Sequence, residues 1–144
     1  MKLPSRMEEV LLLIYGKGLR EVDVARRLNV SRQAINRALR GATGRLSQIF
    51  LELAEILNAD IIRVNVRKGY AIFRGRQLNT KIYAFYIPRK GIRVLFKNGV
   101  NCRDEELRSL CIDIIRAAKE WGMIEEEEDD ADTTLRNILR IIEA

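Results

Sequence analysis

The chain has 144 residues, 47% hydrophobic and 32% charged, with two cysteines, no histidine and a net charge of +6. That length can bury its own core as one domain or two small ones without a disulfide or metal staple. The composition excludes a Cys/His zinc site and a histidine general base. The charge is split: residues 1–100 hold 20 Lys+Arg against 7 Asp+Glu, and residues 101–144 hold 6 against 13, so the basic front suits a polyanionic partner.

The N-terminal residues Met1–Arg6 lack the apolar stretch and small-residue cleavage site of a signal peptide. No apolar run approaches the ~20 residues needed to cross a bilayer, so a cytoplasmic protein with no membrane partner is expected. Residues 6–17 read as a first helix, with Ser5 as N-cap and Glu8 as its capping-box partner. Residues 20–28 form a second helix and 31–40 a third. Gly41 and Gly44 bracket a break before a fourth helix over 45–58. Leu46, Phe50, Leu53 and Leu57 make a stripe along that fourth helix. Such a stripe serves either as a contact between two subunits or as packing within one.

From Asp60 the period changes to two. Ile62, Val64 and Val66 alternate with polar residues, which predicts a half-buried strand. Tyr70–Arg74, Lys81–Ile87 and Ile92–Lys97 follow as strands, separated by turns at Lys68-Gly69 and Pro88-Arg89-Lys90-Gly91, with Asn98-Gly99 punctuating the end. Short loops make this an antiparallel meander. Residues 103–121 form a long helix whose apolar face includes Leu110, Cys111, Ile114, Ile115 and Trp121, stopped by Gly122. Cys111 reads as an inert core residue. Glu125–Asp130 is a run of six acids, and a last helix begins near Asp132. The fold class is therefore α+β: a helical head over 1–58, then a four-stranded antiparallel sheet with one or two C-terminal helices over 59–144.

The informative segment is Glu21–Arg40. Val24, Leu28, Val30, Ile35 and Leu39 supply apolar faces, and Ala25 is small where two helices would cross. Asn29 stands where a tight turn needs positive φ, and Ser31 is an N-cap. On these residues the segment resembles the helix-turn-helix of small archaeal and bacterial transcription regulators. The resemblance covers about residues 5–41. It implies a homodimer bound to double-stranded DNA, with a C-terminal domain free to take an effector. The second helix of such a motif enters the major groove by its N-terminal end, which assigns base contacts to Ser31, Arg32, Gln33, Asn36 and Arg37. Arg26, Arg27, Arg40 and Arg45 are placed for phosphates. The same head would serve an accessory or architectural DNA-binding protein of a plasmid, virus or recombination system.

Residues 61–103 hold eleven Lys+Arg and no Asp or Glu. A Mg²⁺-dependent nuclease needs carboxylates and is not expected on this sheet. It is either a second polyanion surface or the dock for the acidic 125–130 run. Lys68-Gly69-Tyr70-Ala71 echoes an RNA-recognition signature, but Ile72 stands where a stacking aromatic is needed. Tyr83, Phe85 and Tyr86 are therefore expected in the core. No nucleotide-binding glycine loop, nucleophile motif or cofactor site is apparent, so an enzyme is not expected. The charge-rich, arginine-weighted composition suits a thermophilic source.

Overall fold

A computed structural model describes residues 1–97 and 101–144; the expected Asn98-Gly99 turn lies outside them. The order is α1 (Ser5–Leu11), a π-helical turn (Leu12–Gly16), α2 (Glu21–Leu28), α3 (Arg32–Ile56), β1 (Ala59–Asn65), β2 (Tyr70–Gly75), β3 (Lys81–Ile87), β4 (Gly91–Phe96), α4 (Glu105–Glu120) and α5 (Ala131–Glu143). The strands form one antiparallel sheet in the order β1-β2-β3-β4. Among the described residues no helix is long and apolar enough to cross a membrane.

Helices cover both faces of the sheet. Along a strand, side chains alternate faces. The Tyr86 hydroxyl bonds Glu8 of α1 and the Tyr83 hydroxyl bonds Glu143 of α5, so these two helices lie on opposite faces. α1 packs on α3, and α4 packs on α5. Tyr83, Phe85 and Tyr86 are all buried between the layers, as core residues rather than a base-stacking platform.

The expected break at Gly41 and Gly44 is absent. α3 runs through both glycines as one helix of 25 residues. A Cβ on Gly41 would sit 2.7 Å from the Met7 methyl. That glycine therefore admits the close crossing of α1 rather than ending a helix. Each mid-helix glycine costs roughly 1 kcal/mol relative to alanine, and at Gly41 the close packing of Met7 offsets it. Leu46, Phe50 and Leu53 are buried in one cluster with sheet residues on the far side of position 59. The stripe is thus packing within the chain.

The N-terminal helix also differs from its expected form. Pro4 is the capping position of α1, and no side chain caps it. Glu8 is instead buried against the sheet, accepting hydrogen bonds from the Tyr86 hydroxyl (2.6 Å) and the Arg89 N–H (3.0 Å). The Leu3 N–H donates to the same tyrosine oxygen at 2.8 Å. A buried carboxylate must find donors, and this demand outweighs a solvent-exposed capping box. The helix then widens into its π turn, where Lys17 N–H reaches the Leu12 carbonyl. Gly16 is pressed against the end of α4, and any Cβ there would overlap the Glu120 carbonyl. The Lys68 ammonium donates to the Tyr15 and Trp121 carbonyls, both at 2.9 Å, and joins the two helix ends.

β1 departs from simple alternation. A bulge between Ile61 and Arg63 leaves Ile61 and Ile62 both exposed and Val64 and Val66 half-buried. β1 is an edge strand, where bulges are common. The cysteines correct another expectation: Cys111 is buried but bonded to Cys102, nine residues away, with Cα atoms 5.8 Å apart.

Two measurements follow. Tyr86→Phe removes a donor from Glu8 and an acceptor from the Leu3 N–H, and is expected to cost about 1–3 kcal/mol in urea denaturation. Burial, with the Glu8 carboxylate beside it, raises the Tyr86 phenol well above its ordinary value. A raised group contributes stability that is fully present below the unfolded pKa of about 10 and lost as pH rises. Wild type should therefore weaken above about pH 10, and Tyr86→Phe should show a shallower decline; parallel slopes would refute the link. Reducing the disulfide is expected to remove about 2–3 kcal/mol, the loop-entropy value for so short a loop. Paired thermal scans with and without reductant should show a drop in Tm that a Cys102→Ser/Cys111→Ser variant lacks.

Candidate nucleic-acid interface

The helical head is organised around a small cluster of its own. Val10 of α1, Val24 and Ala25 of α2 and Ile35 of α3 are buried together, with Leu28 and Leu39 packed alongside. Val30, expected on this apolar face, is instead exposed, because the turn carries it past the end of α2. Asn29 adopts φ 56° and ψ 48°, and Val30 N–H bonds the Ala25 carbonyl at 3.0 Å. This is the left-handed closure that asparagine tolerates better than other non-glycine residues. Two residues on, Ser31 caps α3: its hydroxyl oxygen accepts from Ala34 N–H at 3.1 Å. A serine cap contributes about 1 kcal/mol. The turn therefore sets where α3 begins and which residues leave its first two turns outward.

Of the residues assigned to bases, Arg32, Gln33 and Arg37 are exposed. Together with Asn36, Arg40 and Glu21 they line one shallow concavity. Ser31 is exposed too, but its oxygen is already engaged in the cap. Asn36 is half-buried and donates one amide N–H to Glu21 Oε1 at 3.0 Å, which leaves its second N–H and its Oδ1 without a partner among the described residues. Glu21 was not singled out from the sequence. An acid in the first turn of a helix is explained by the helix dipole alone, and its link to Asn36, fifteen residues on, leaves no local pattern.

The arginines assigned to phosphates, Arg26, Arg27, Arg40 and Arg45, are all exposed. Among the described residues, none of them, nor Arg32 or Arg37, makes a salt bridge or a side-chain hydrogen bond. Residues 20–45 hold seven arginines and two acids. One acid, Asp23, is bound by Arg20 at 2.9 Å, and that guanidinium holds its carboxyl below the ordinary range.

The basic sheet is different, since acids and carbonyls answer its cations. Asp113 of α4 is buried and takes Lys90 (2.7 Å) and Arg93 (2.9 Å). Glu120 takes Arg89, and Glu143 takes Lys81, both at 2.6 Å. Burial pushes the Glu143 carboxyl up, but the hydrogen bonds from Lys81 and Tyr83 outweigh it and hold the group below its ordinary value. Arg63 caps α5 through the Ile142 and Ala144 carbonyls. The dock for the sheet's charge is thus three acids of the C-terminal helices, whereas Glu127 of the 125–130 run pairs with Lys119 of α4.

Among the described residues, no three His, Cys, Asp or Glu side chains gather as a group that could hold a metal ion. A cleft of about 660 Å³ runs between α1 and Arg89 and Glu120, beside the buried Glu8. A scan against protein-family models and searches of curated proteins and of solved structures found no match to this chain.

Proposed function

We propose that the chain binds double-stranded DNA sequence-specifically through the first two turns of α3, as a transcription regulator acting as a homodimer. The observation that carries this reading is the contrast in pairing between two basic regions. The arginines of the sheet are largely consumed by internal acids and carbonyls. Those of α2 and the N-terminal half of α3 are exposed and unpaired among the described residues. An unpaired arginine cluster on a capped helix, beside an exposed glutamine, has the chemistry that reads guanine and adenine edges in the major groove. The exposed Arg26 and Arg27 close α2 one turn away, where they would meet the phosphate backbone. The work asked of this surface is binding, and no catalytic step is assigned to it.

The charge-rich, arginine-weighted composition suits a thermophilic source. So does a disulfide in a protein proposed to act on DNA inside a cell, because intracellular disulfides are a habit of hyperthermophiles.

The test is a fluorescence-anisotropy titration against a site selected from random duplexes. Arg32→Ala and Arg37→Ala are each expected to weaken specific binding by about 10-fold or more, since one good base contact discriminates by ~1–3 kcal/mol. Arg74→Ala, on the sheet, should leave it within about 2-fold. Equal affinity for every duplex, steep salt dependence and indifference to the α3 variants would instead make this an architectural binder acting through its charge.

A further inference from the structure

Among the described residues, the bond from Asn36 to Glu21 is the one side-chain hydrogen bond that joins α2 to α3. It lies in the concavity that Arg32, Gln33, Arg37 and Arg40 also line. An acid in that place does nothing for affinity, because Glu21 would approach the same phosphates that the arginines attract. What it does to Asn36 is more informative.

The oxygen and the amide nitrogen of an asparagine have nearly the same shape, so the side chain fits one space in either of two orientations. The two present different edges. With its nitrogen turned toward α2, Asn36 offers outward Oδ1 and one N–H, an acceptor beside a donor. With its oxygen turned toward α2, it offers the amide nitrogen outward, with both N–H groups free to donate. A carboxylate only accepts. Glu21 Oε1 therefore takes an N–H of Asn36, at 3.0 Å, and rejects the second orientation. Asn36 Oδ1 is left without a protein partner, yet among the described residues no buried side-chain oxygen or nitrogen lacks one. Oδ1 is thus open to solvent. Gln33, Asn36, Arg37 and Arg40 are related by helical spacings of three and four residues, so Asn36 shares the face of three exposed side chains.

We propose that Glu21 is a specificity-determining residue, which locks the Asn36 amide in the orientation that accepts adenine and refuses guanine. This deepens the DNA-binding reading and rests on it. In the major groove adenine shows the acceptor N7 beside the donor N6, and the locked edge matches both. Guanine shows N7 and O6, both acceptors. Asn36 Oδ1 would then face O6 with no proton between them. The flip that relieves this clash would press Oδ1 against the Glu21 carboxylate. Discrimination comes from that unrelieved repulsion as well as from the adenine contact. A pairing that merely fastened α2 to α3 would treat the two bases alike.

The experiment is an anisotropy titration of the full chain against a duplex that wild type selects from a random pool, with each adenine replaced in turn by guanine. Wild type should prefer adenine by about 10-fold or more at one position, identified because Asn36→Ala lowers the preference there to within about 2-fold. Glu21→Gln is nearly the same size but donates as well as accepts, so it admits both orientations. It should lower the same ratio by at least about 5-fold, through tighter binding of the guanine duplex, and add nothing to Asn36→Ala. Glu21→Ala, which holds neither orientation, should move the ratio in the same direction. Losing the negative charge raises affinity for every duplex alike and cancels from the ratio. An adenine preference unchanged in the Glu21 variants, or untouched by Asn36→Ala at every position, overturns the inference while the arginine contacts stand. A wild type that binds no duplex, or all duplexes equally, overturns the inference and the DNA-binding reading together.

Discussion

Everything at the N-terminal end hangs on the continuity of α3. Its second half is core, with Leu46, Phe50 and Leu53 buried against the sheet side of the molecule. Its first half carries the exposed arginines. A continuous helix resists bending because each turn is tied to the next by backbone hydrogen bonds, so the sheet fixes the direction in which the arginine face points. The crossing of α1 at Gly41 and the Glu8–Tyr86–Leu3 hydrogen bonds add a second fastening between head and sheet. The hydrogen bonds are buried, and buried hydrogen bonds to a carboxylate are among the stronger ones.

The charge asymmetry in the sequence has two separate physical meanings. Part of the excess of cations between residues 61 and 103 is answered internally, where α4 and α5 lay Asp113, Glu120 and Glu143 onto Lys81, Arg89, Lys90 and Arg93. Asp113 is buried and bound twice, so drawing both cations away to a polyanion would strand a carboxylate, which is costly. The second excess, between residues 20 and 45, has no such internal answer: Asp23 is spent on Arg20 and Glu21 on Asn36. Net charge alone cannot separate these cases; pairing can.

Much of this was legible in the sequence because it depends on local chemistry. Asn29 in a left-handed turn, Ser31 as a cap, the strand order and the stop at Gly122 all follow from what one residue type can do to its own backbone. The failures share the opposite property. Gly41 looks like a helix breaker until Met7, thirty-four positions earlier, is known to lie across it. Ser5 and Glu8 have the spacing of a capping box, but a tyrosine seventy-eight residues away claims the carboxylate. The Cys102–Cys111 bond depends on the turn before α4 folding back over its first turns. The pairing that leaves Asn36 half-occupied by Glu21 is a contact between helices, and no period reveals it.

The two glycines that failed to break α3 bear on how far the head can move. Gly44 has open space around it, with nothing within 4 Å of where a Cβ would stand. It gains no packing to set against its propensity cost of roughly 1 kcal/mol, so it is the weakest position between the arginine-bearing half of the helix and the buried half. Gly41 is held by Met7 and is not free in the same way. Beside it, the Thr43 hydroxyl donates back to the Arg40 carbonyl at 3.1 Å, a local bond of the kind that competes with the helix's own ladder. Small changes in the angle between head and sheet are therefore cheapest one turn beyond Arg40. There a bend moves Arg32, Arg37 and Arg40 as a unit and leaves the Val10–Val24–Ala25–Ile35 cluster intact, provided α1 slides with it. The Glu8–Tyr86 bond opposes that slide, so the tether on α1 adds to the stiffness of α3 in resisting reorientation.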